Sequence, residues 1–184
     1  FDHIIAVDGG LRSLEEVGVK PNVALGDFDS LGYVPTGMRT VRFSKDKDKS
    51  DMELALKRAK SQRFDNVVVF GALGGRLDHT LANMGVFSKY SELGLKVTVI
   101  DDDTAVFFLT GPDIFEAPAL ESGVVSVFAM SDVTEGVFER GMKWDLDDVV
   151  LTNRESIGLS NELIGEAVMI GVEKGTICVI FPVS

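Results

Sequence analysis

Asn66-Val67-Val68-Val69-Phe70-Gly71-Ala72-Leu73-Gly74-Gly75-Arg76-Leu77-Asp78-His79 reads as a β-branched strand, a glycine-rich turn and the start of a helix. The helix runs on through Leu81 and Met84, with Asp78, His79 and Asn83 near its beginning. Three glycines permit close backbone approach, and an arginine beside a helix N-terminus makes an anion site. Taken alone, His79 also fits a packing histidine. Lys96–Ile100 is the next strand. Upstream, the apolar run Ile4–Val7 ends in Asp8-Gly9-Gly10 and passes into a helical pattern through Leu11, Leu14 and Val17. That turn is not a Walker A loop and lacks the full dinucleotide spacing. Asp8 is placed either to cap the helix or to touch a ligand. Strands alternating with helices, with every unusual loop following a strand, imply a Rossmann-like, mostly parallel α/β sheet whose ligand lies at the strands' carboxyl ends.

Between these segments lies Gly26-Asp27-Phe28-Asp29-Ser30, directly after the apolar run Val23-Ala24-Leu25. Two carboxylates one residue apart at a strand end suit a hard cation such as Mg²⁺, which takes oxygen ligands. Side-chain alternation would turn Phe28 into the core while Asp27 and Asp29 look the other way. A plain surface turn uses the same residue types. Arg39–Phe43 reads as a further strand, and Ser50 with Glu53 as a capping box opening a helix with Met52, Ala55, Leu56 and Ala59 on its buried side. Asp51 then sits in the first helical turn, where the helix dipole stabilises a carboxylate without any ligand. It is also the candidate third metal carboxylate, with Lys45, Lys47 and Lys49 nearby to offset phosphate charge.

From Thr104 the texture changes to short apolar runs separated by turn residues: Ala105–Leu109, Val124–Met130, Gly165–Val172 and Thr176–Phe181. This predicts an all-β, sandwich-like module. The expected division is an α/β domain over residues 1–110 and a β domain over 111–184. Trp144, the only tryptophan, fits either a core position or a ligand face, and Ser160-Asn161-Glu162 taken alone is an ordinary turn.

A chain of 184 residues with 45% hydrophobic content can bury a substantial core. Its formal charge of -11 is unevenly spread: residues 1–100 carry 14 Lys/Arg against 13 Asp/Glu, residues 101–184 only 4 against 16. An acidic chain of this kind argues against nucleic-acid binding. Nine of the 18 basic residues fall between Arg39 and Arg63, which is compatible with a polyphosphate ligand. Cys178, the single cysteine, lies in an apolar run and reads as buried filler in a reducing compartment. No apolar run approaches a spanning helix, so a soluble, cytoplasmic protein is expected.

Together these stretches resemble the thiamine pyrophosphokinase family. The resemblance rests on Asp8-Gly9-Gly10, Gly26 through Ser30, Ser50-Asp51-Met52-Glu53, Gly71 through Asn83, Gly141-Met142-Lys143-Trp144 and Ser160-Asn161-Glu162, in family order over nearly the whole chain. It implies transfer of pyrophosphate from ATP to thiamine, an N-terminal domain for ATP and Mg²⁺, a C-terminal domain contributing to the thiamine site, and a homodimer with the active site at the subunit interface. By that resemblance Asp27, Asp29 and Asp51 hold Mg²⁺, and Arg76 and Asp78 serve the transferred group. Asp8, Ser50, Arg76, His79, Asn83, Trp144, Ser160 and Asn161 then make substrate contacts. Two departures stand out. The family's earlier strand and glycine-containing loop are not in this chain, which begins without methionine in strand-like residues, so either sequence lies upstream or the family's first ATP contact is absent. Ser50 occupies a position where the family more often has threonine. From the residues alone, a non-catalytic Ca²⁺- and ligand-binding protein, or a γ-phosphoryl kinase or nucleotidyl transferase with another acceptor, stays open.

Overall fold

The computed structural model describes residues 1–44 and 48–183. It is a mixed α/β protein that divides into two compact units, Phe1–Arg63 and Phe64–Ser184. Lys45 and Lys47, expected beside the phosphate site, lie outside the described residues.

In the first unit, β1 (Ile5–Val7), β2 (Val23–Gly26) and β3 (Thr40–Arg42) form a parallel sheet in that order. The β-branched and small apolar residues of β2 give a strand buried along its whole length, as a central parallel strand requires. Helix α1 (Gly10–Glu16) inserts Leu11 into a cluster with Ala6, Ala24, Phe28 and Leu31. Val17, expected on the same helical face, lies beyond the helix and is exposed. Helix α2 (Asp51–Ser61) starts at Ser50, whose Oγ accepts the Glu53 backbone N–H at 3.2 Å, and buries Ala55, Leu56 and Ala59.

The second unit opens with β4 (Asn66–Phe70), α3 (Leu77–Glu92) and β5 (Lys96–Asp101), with β4 and β5 parallel. Here the parallel pattern stops. Asp102, at φ +42°, turns the chain so that β6 (Thr104–Thr110) pairs antiparallel with β5. Asp tolerates this left-handed conformation better than most residues. β6 leads into β7 (Asp113–Ala117), β8 (Val124–Ala129), β9 (Val133–Arg140), β10 (Leu146–Thr152), β11 (Asn161–Glu162), β12 (Val168–Val172) and β13 (Thr176–Pro182). One sheet runs β11-β8-β13-β6-β5-β4 and another β10-β9-β12-β7. The chain position expected to divide the domains falls between β6 and β7, while β6 hydrogen-bonds both β5 and β13.

The two sheets of this unit share one buried cluster that includes Val127, Val137, Leu151, Ile170 and Ile177. Cys178 is fully buried, and desolvation pushes its thiol up to about 12, so it packs without reacting. On α3 the buried face is Phe87, Ser88, Tyr90 and Ser91, whereas Leu77 and Leu81, which marked the helix in the sequence, are exposed. Among the described residues no helix is long and apolar enough to cross a membrane.

Candidate active site

The acidic loop is built by Asp8. This residue leaves β1 at φ +44°, and its carboxylate accepts the Phe28 backbone N–H at 3.1 Å and the Ser30 hydroxyl at 2.8 Å. Gly26, at φ +152°, permits the approach: a Cβ there would meet the Asp8 Cα and Cβ at 3.1 Å. Phe28 does turn into the core, at 3% exposure, but not through extended alternation. It sits at φ +64°, an uncommon conformation for an aromatic residue, with the Asp8 carboxylate on its N–H. Asp27 Oδ1 accepts the Asp29 N–H at 3.0 Å, closing a tight local turn.

Asp27 and Asp29 line one cavity of about 500 Å³ together with Arg42, Phe43 and Ser44. Two carboxylates and a hydroxyl are ligand types that suit a hard cation, and a guanidinium is one that suits an anionic group. Arg42 was not singled out in the sequence; its signal was the end of the predicted strand, inside the basic stretch. Asp51 is not among the residues lining this cavity, and the described residues hold no group of three Asp, Glu, His or Cys side chains arranged for a metal. A site with two protein carboxylates still suits Mg²⁺, which characteristically takes one or two and completes its shell with waters and substrate phosphates.

In the second unit, Gly71, Gly74 and Gly75 all have φ between +63° and +76°, and a Cβ at each would meet open space. They are therefore required by backbone conformation rather than by packing. Asn83 ties the loop to α3 by donating to the Ala72 carbonyl at 2.8 Å, and Thr80 donates to that of Gly74 at 3.3 Å. Arg76 and Asp78 form a two-point ion pair, Nε to Oδ1 at 3.1 Å and Nη2 to Oδ2 at 2.5 Å. Both are exposed, as is His79, which rules out a packing role for that histidine. The Arg76 hydrogen bond holds the Asp78 carboxyl down at about 2.

The third group lies around the turn between β9 and β10. Gly141 adopts φ +78°, and a Cβ there would stand 2.0 Å from the Ala167 carbonyl oxygen. Met142 is buried opposite Leu163, and Lys143 donates its backbone N–H to Glu162 O at 2.9 Å. Trp144 is then carried outward. It is 52% exposed, so it is not a core residue. The Lys143 ammonium lies 4.5 Å from its ring centre and pairs with Glu162 at 2.9 Å. Asn161, itself buried, accepts the Trp144 N–H at 3.1 Å and donates to the Trp144 carbonyl at 2.7 Å. Ser160 is exposed at φ +61°, with its N–H on Ser126 Oγ.

A model of the thiamin pyrophosphokinase catalytic domain matches residues 1–99, and one of the thiamin pyrophosphokinase vitamin B1 binding domain matches residues 115–177. The chain is 27% identical over 186 residues to thiamine pyrophosphokinase of Bacillus subtilis, covering 96% of this chain and 85% of that protein. Against thiamine pyrophosphokinase 1 of Oryza sativa subsp. japonica it is 26% identical over 166 residues, covering 82% of this chain and 62% of that protein. The crystal structure of the B. subtilis protein superposes with a TM-score of 0.85 at 26% identity, covering 98% of this chain and 87% of that one. The thiamin pyrophosphokinase structure from Geobacillus thermodenitrificans gives 0.81 at 27% identity, covering 97% and 85%.

Proposed function

The chain belongs to the thiamin pyrophosphokinase family, and from that premise we propose how its residues carry out the family's reaction. ATP and thiamine are the substrates, and thiamine diphosphate and AMP the products. The hydroxyethyl oxygen of thiamine attacks the β-phosphorus, the bond from that phosphorus to the bridging oxygen of AMP breaks, and the hydroxyl proton is lost. The observation that carries the reading is the placement of Asp27 and Asp29 along one cavity beside Arg42. Phosphoryl transfer of this type depends on positioning and charge stabilisation more than on covalent help from the protein.

In this reading Asp27 and Asp29 hold Mg²⁺, with Asp51 the third carboxylate the sequence offers. When bound, the ion neutralises phosphate charge. Arg42 and Arg76 bind phosphate oxygens, and Asp8 serves the site by fixing the loop. Ser50, His79 and Asn83 belong to the nucleotide contacts and their supports. Asp78 orients the nucleophilic hydroxyl by accepting its hydrogen bond. A carboxyl held near 2 is a weak base at neutral pH, and efficient proton abstraction favours a pKa near the working pH. Trp144 and Ser160 face thiamine, and Asn161 supports that surface. The working protein is a cytoplasmic homodimer of Rossmann-like and sandwich-like domains whose active sites draw on both subunits.

Identifying the nucleotide product tests the reaction. AMP together with thiamine diphosphate is expected; ADP would indicate a γ-phosphoryl kinase, pyrophosphate a nucleotidyl transferase, and no turnover a binding protein. Subunit sharing is tested by refolding Asp27→Asn protein together with Trp144→Ala protein and assaying at limiting thiamine, where each variant alone is impaired. Mixed dimers are expected to recover activity, since one of their two sites carries neither lesion. Mixed dimers that form and stay inactive would assign each site to a single chain.

Trp144→Ala is expected to weaken thiamine binding by about tenfold, within the ~0.5–2 kcal/mol range of a cation over an aromatic face, while ATP binding is unchanged. Because the ring is half exposed, the melting temperature should move little; a buried tryptophan would cost about 3–5 kcal/mol. Calorimetric titrations beside thermal melts check both parts. A large fall in melting temperature with unchanged thiamine affinity would return Trp144 to a structural role.

A further inference from the structure

We propose that Glu139 is a positioning residue for Trp144, acting through the side-chain amide of Asn161. Glu139 lies on β9 with no exposed surface. Its Oε2 accepts the Asn161 Nδ2–H at 2.9 Å, and its Oε1 has no hydrogen-bond partner. The remaining side-chain hydrogen bonds of Asn161 go to the peptide groups of Trp144 and Glu162. Nδ2 donates to the Trp144 carbonyl at 2.7 Å, and Oδ1 accepts the N–H groups of Trp144 at 3.1 Å and Glu162 at 2.9 Å. Both amide hydrogens and both oxygen lone pairs are therefore used. Turning the amide over would set its NH₂ against two peptide N–H groups and its oxygen against two acceptors. Glu139 thus adds the fourth bond holding the one orientation in which Asn161 clasps Trp144 at both its N–H and its carbonyl.

A buried carboxyl with one unpartnered oxygen is costly, and an apolar side chain of similar shape would fill the same space without that cost. What the apolar residue lacks is an acceptor for Asn161. Burial, reinforced by the negative charge of Asp145, raises the Glu139 pKa while the Asn161 bond works against that shift. Toward the amide it presents a single acceptor oxygen, Oε2, which the side-chain carbonyl of a glutamine would replace.

The functional consequence rests on the reading that Trp144 faces thiamine; the positioning is measurable without ligand. Trp144 is the chain's only tryptophan, so intrinsic fluorescence reports on this residue alone. In the 184-residue chain, Glu139→Gln keeps shape and acceptor and is expected to leave the emission maximum, anisotropy and acrylamide quenching as in wild type. Glu139→Met keeps volume but removes the acceptor. Its Trp144 quenching constant is expected to at least about double, with lower anisotropy, and thiamine binding to weaken by about tenfold, the loss of roughly one buried hydrogen bond. ATP binding should be unchanged. If Glu139→Met fails to fold, Glu139→Val also lacks the acceptor and suits a strand, and the same expectation applies to it.

A folded acceptor-less variant with wild-type quenching and anisotropy would overturn the proposal. So would a Glu139→Gln protein disturbed as strongly as Glu139→Met. If wild-type protein itself gives no saturable response to thiamine, the thiamine reading fails, while the fluorescence comparison among the variants still decides the positioning role.

Discussion

Asp27→Asn and Asp29→Asn proteins are expected to fold normally and to lose about a hundredfold or more of their turnover at limiting Mg²⁺, the scale on which removal of an electrostatic contact to a reacting group is felt. Both substitutions keep size and remove the charge that a hard cation needs. An asparagine in place of Asp27 would retain an oxygen to accept the Asp29 N–H, as Asp27 does at 3.0 Å, so the local turn survives. The loop's attachment to the core also survives, because it runs through Asp8 and the buried Phe28 ring rather than through either residue. Activity and folding are therefore separable at these two positions. Steady-state rates across a Mg²⁺ titration, beside thermal melts, make the measurement. Near wild-type turnover at limiting Mg²⁺ would mean that the altered carboxylate is not a ligand and that its place in the loop is that of an ordinary turn residue.

Gly141→Ala is expected to destabilise the second unit by about 2–5 kcal/mol, combining a left-handed alanine with overpacking of a closed space. The added Cβ would stand 2.0 Å from the Ala167 carbonyl oxygen, a backbone atom that cannot swing aside. The displaced segment leads through Met142 and Lys143 to Trp144, so thiamine binding should fall with stability. Gly74→Ala is the matched control. Its φ of +76° is almost the same as the +78° of Gly141, yet its Cβ would meet open space, so only the conformational cost of about 1–2 kcal/mol is expected. Chemical denaturation of both variants gives the comparison. Equal destabilisation at the two positions would show that close approach to Ala167 contributes nothing.

Legibility in the sequence followed the range of the forces involved. Asn66–Phe70 is a strand with the boundaries its β-branched residues imply, and Ser50 caps α2 as its spacing to Glu53 implies. By contrast, β9 escaped notice because two of its inward positions are Thr134 and Glu139, both fully buried and both polar. Thr134 donates to the Leu151 carbonyl and Glu139 accepts from Asn161, partners 17 and 22 residues away that no local window contains. β10 was hidden differently: its register shifts between Leu146 and Val149, near Asp148 at φ +50°, break the alternation by which strands are read.

The sequence by itself determined the residue chemistry of the site and the order of its parts. Two carboxylates one residue apart, a glycine-rich turn carrying Arg76 and Asp78, and the segment leading to Trp144 are all properties of neighbours along the chain. It also made the strand Asn66–Phe70 readable from its β-branched run. Only the tertiary structure decided that Phe28 reaches the core through a left-handed backbone with its N–H on Asp8, that Trp144 stands outside the core, and that Arg42 joins the two aspartates while Asp51 does not line their cavity. Each of these depends on a hydrogen bond, a burial or a shared surface between residues distant in sequence. Local propensity and spacing carry no information about such pairs until the chain has folded.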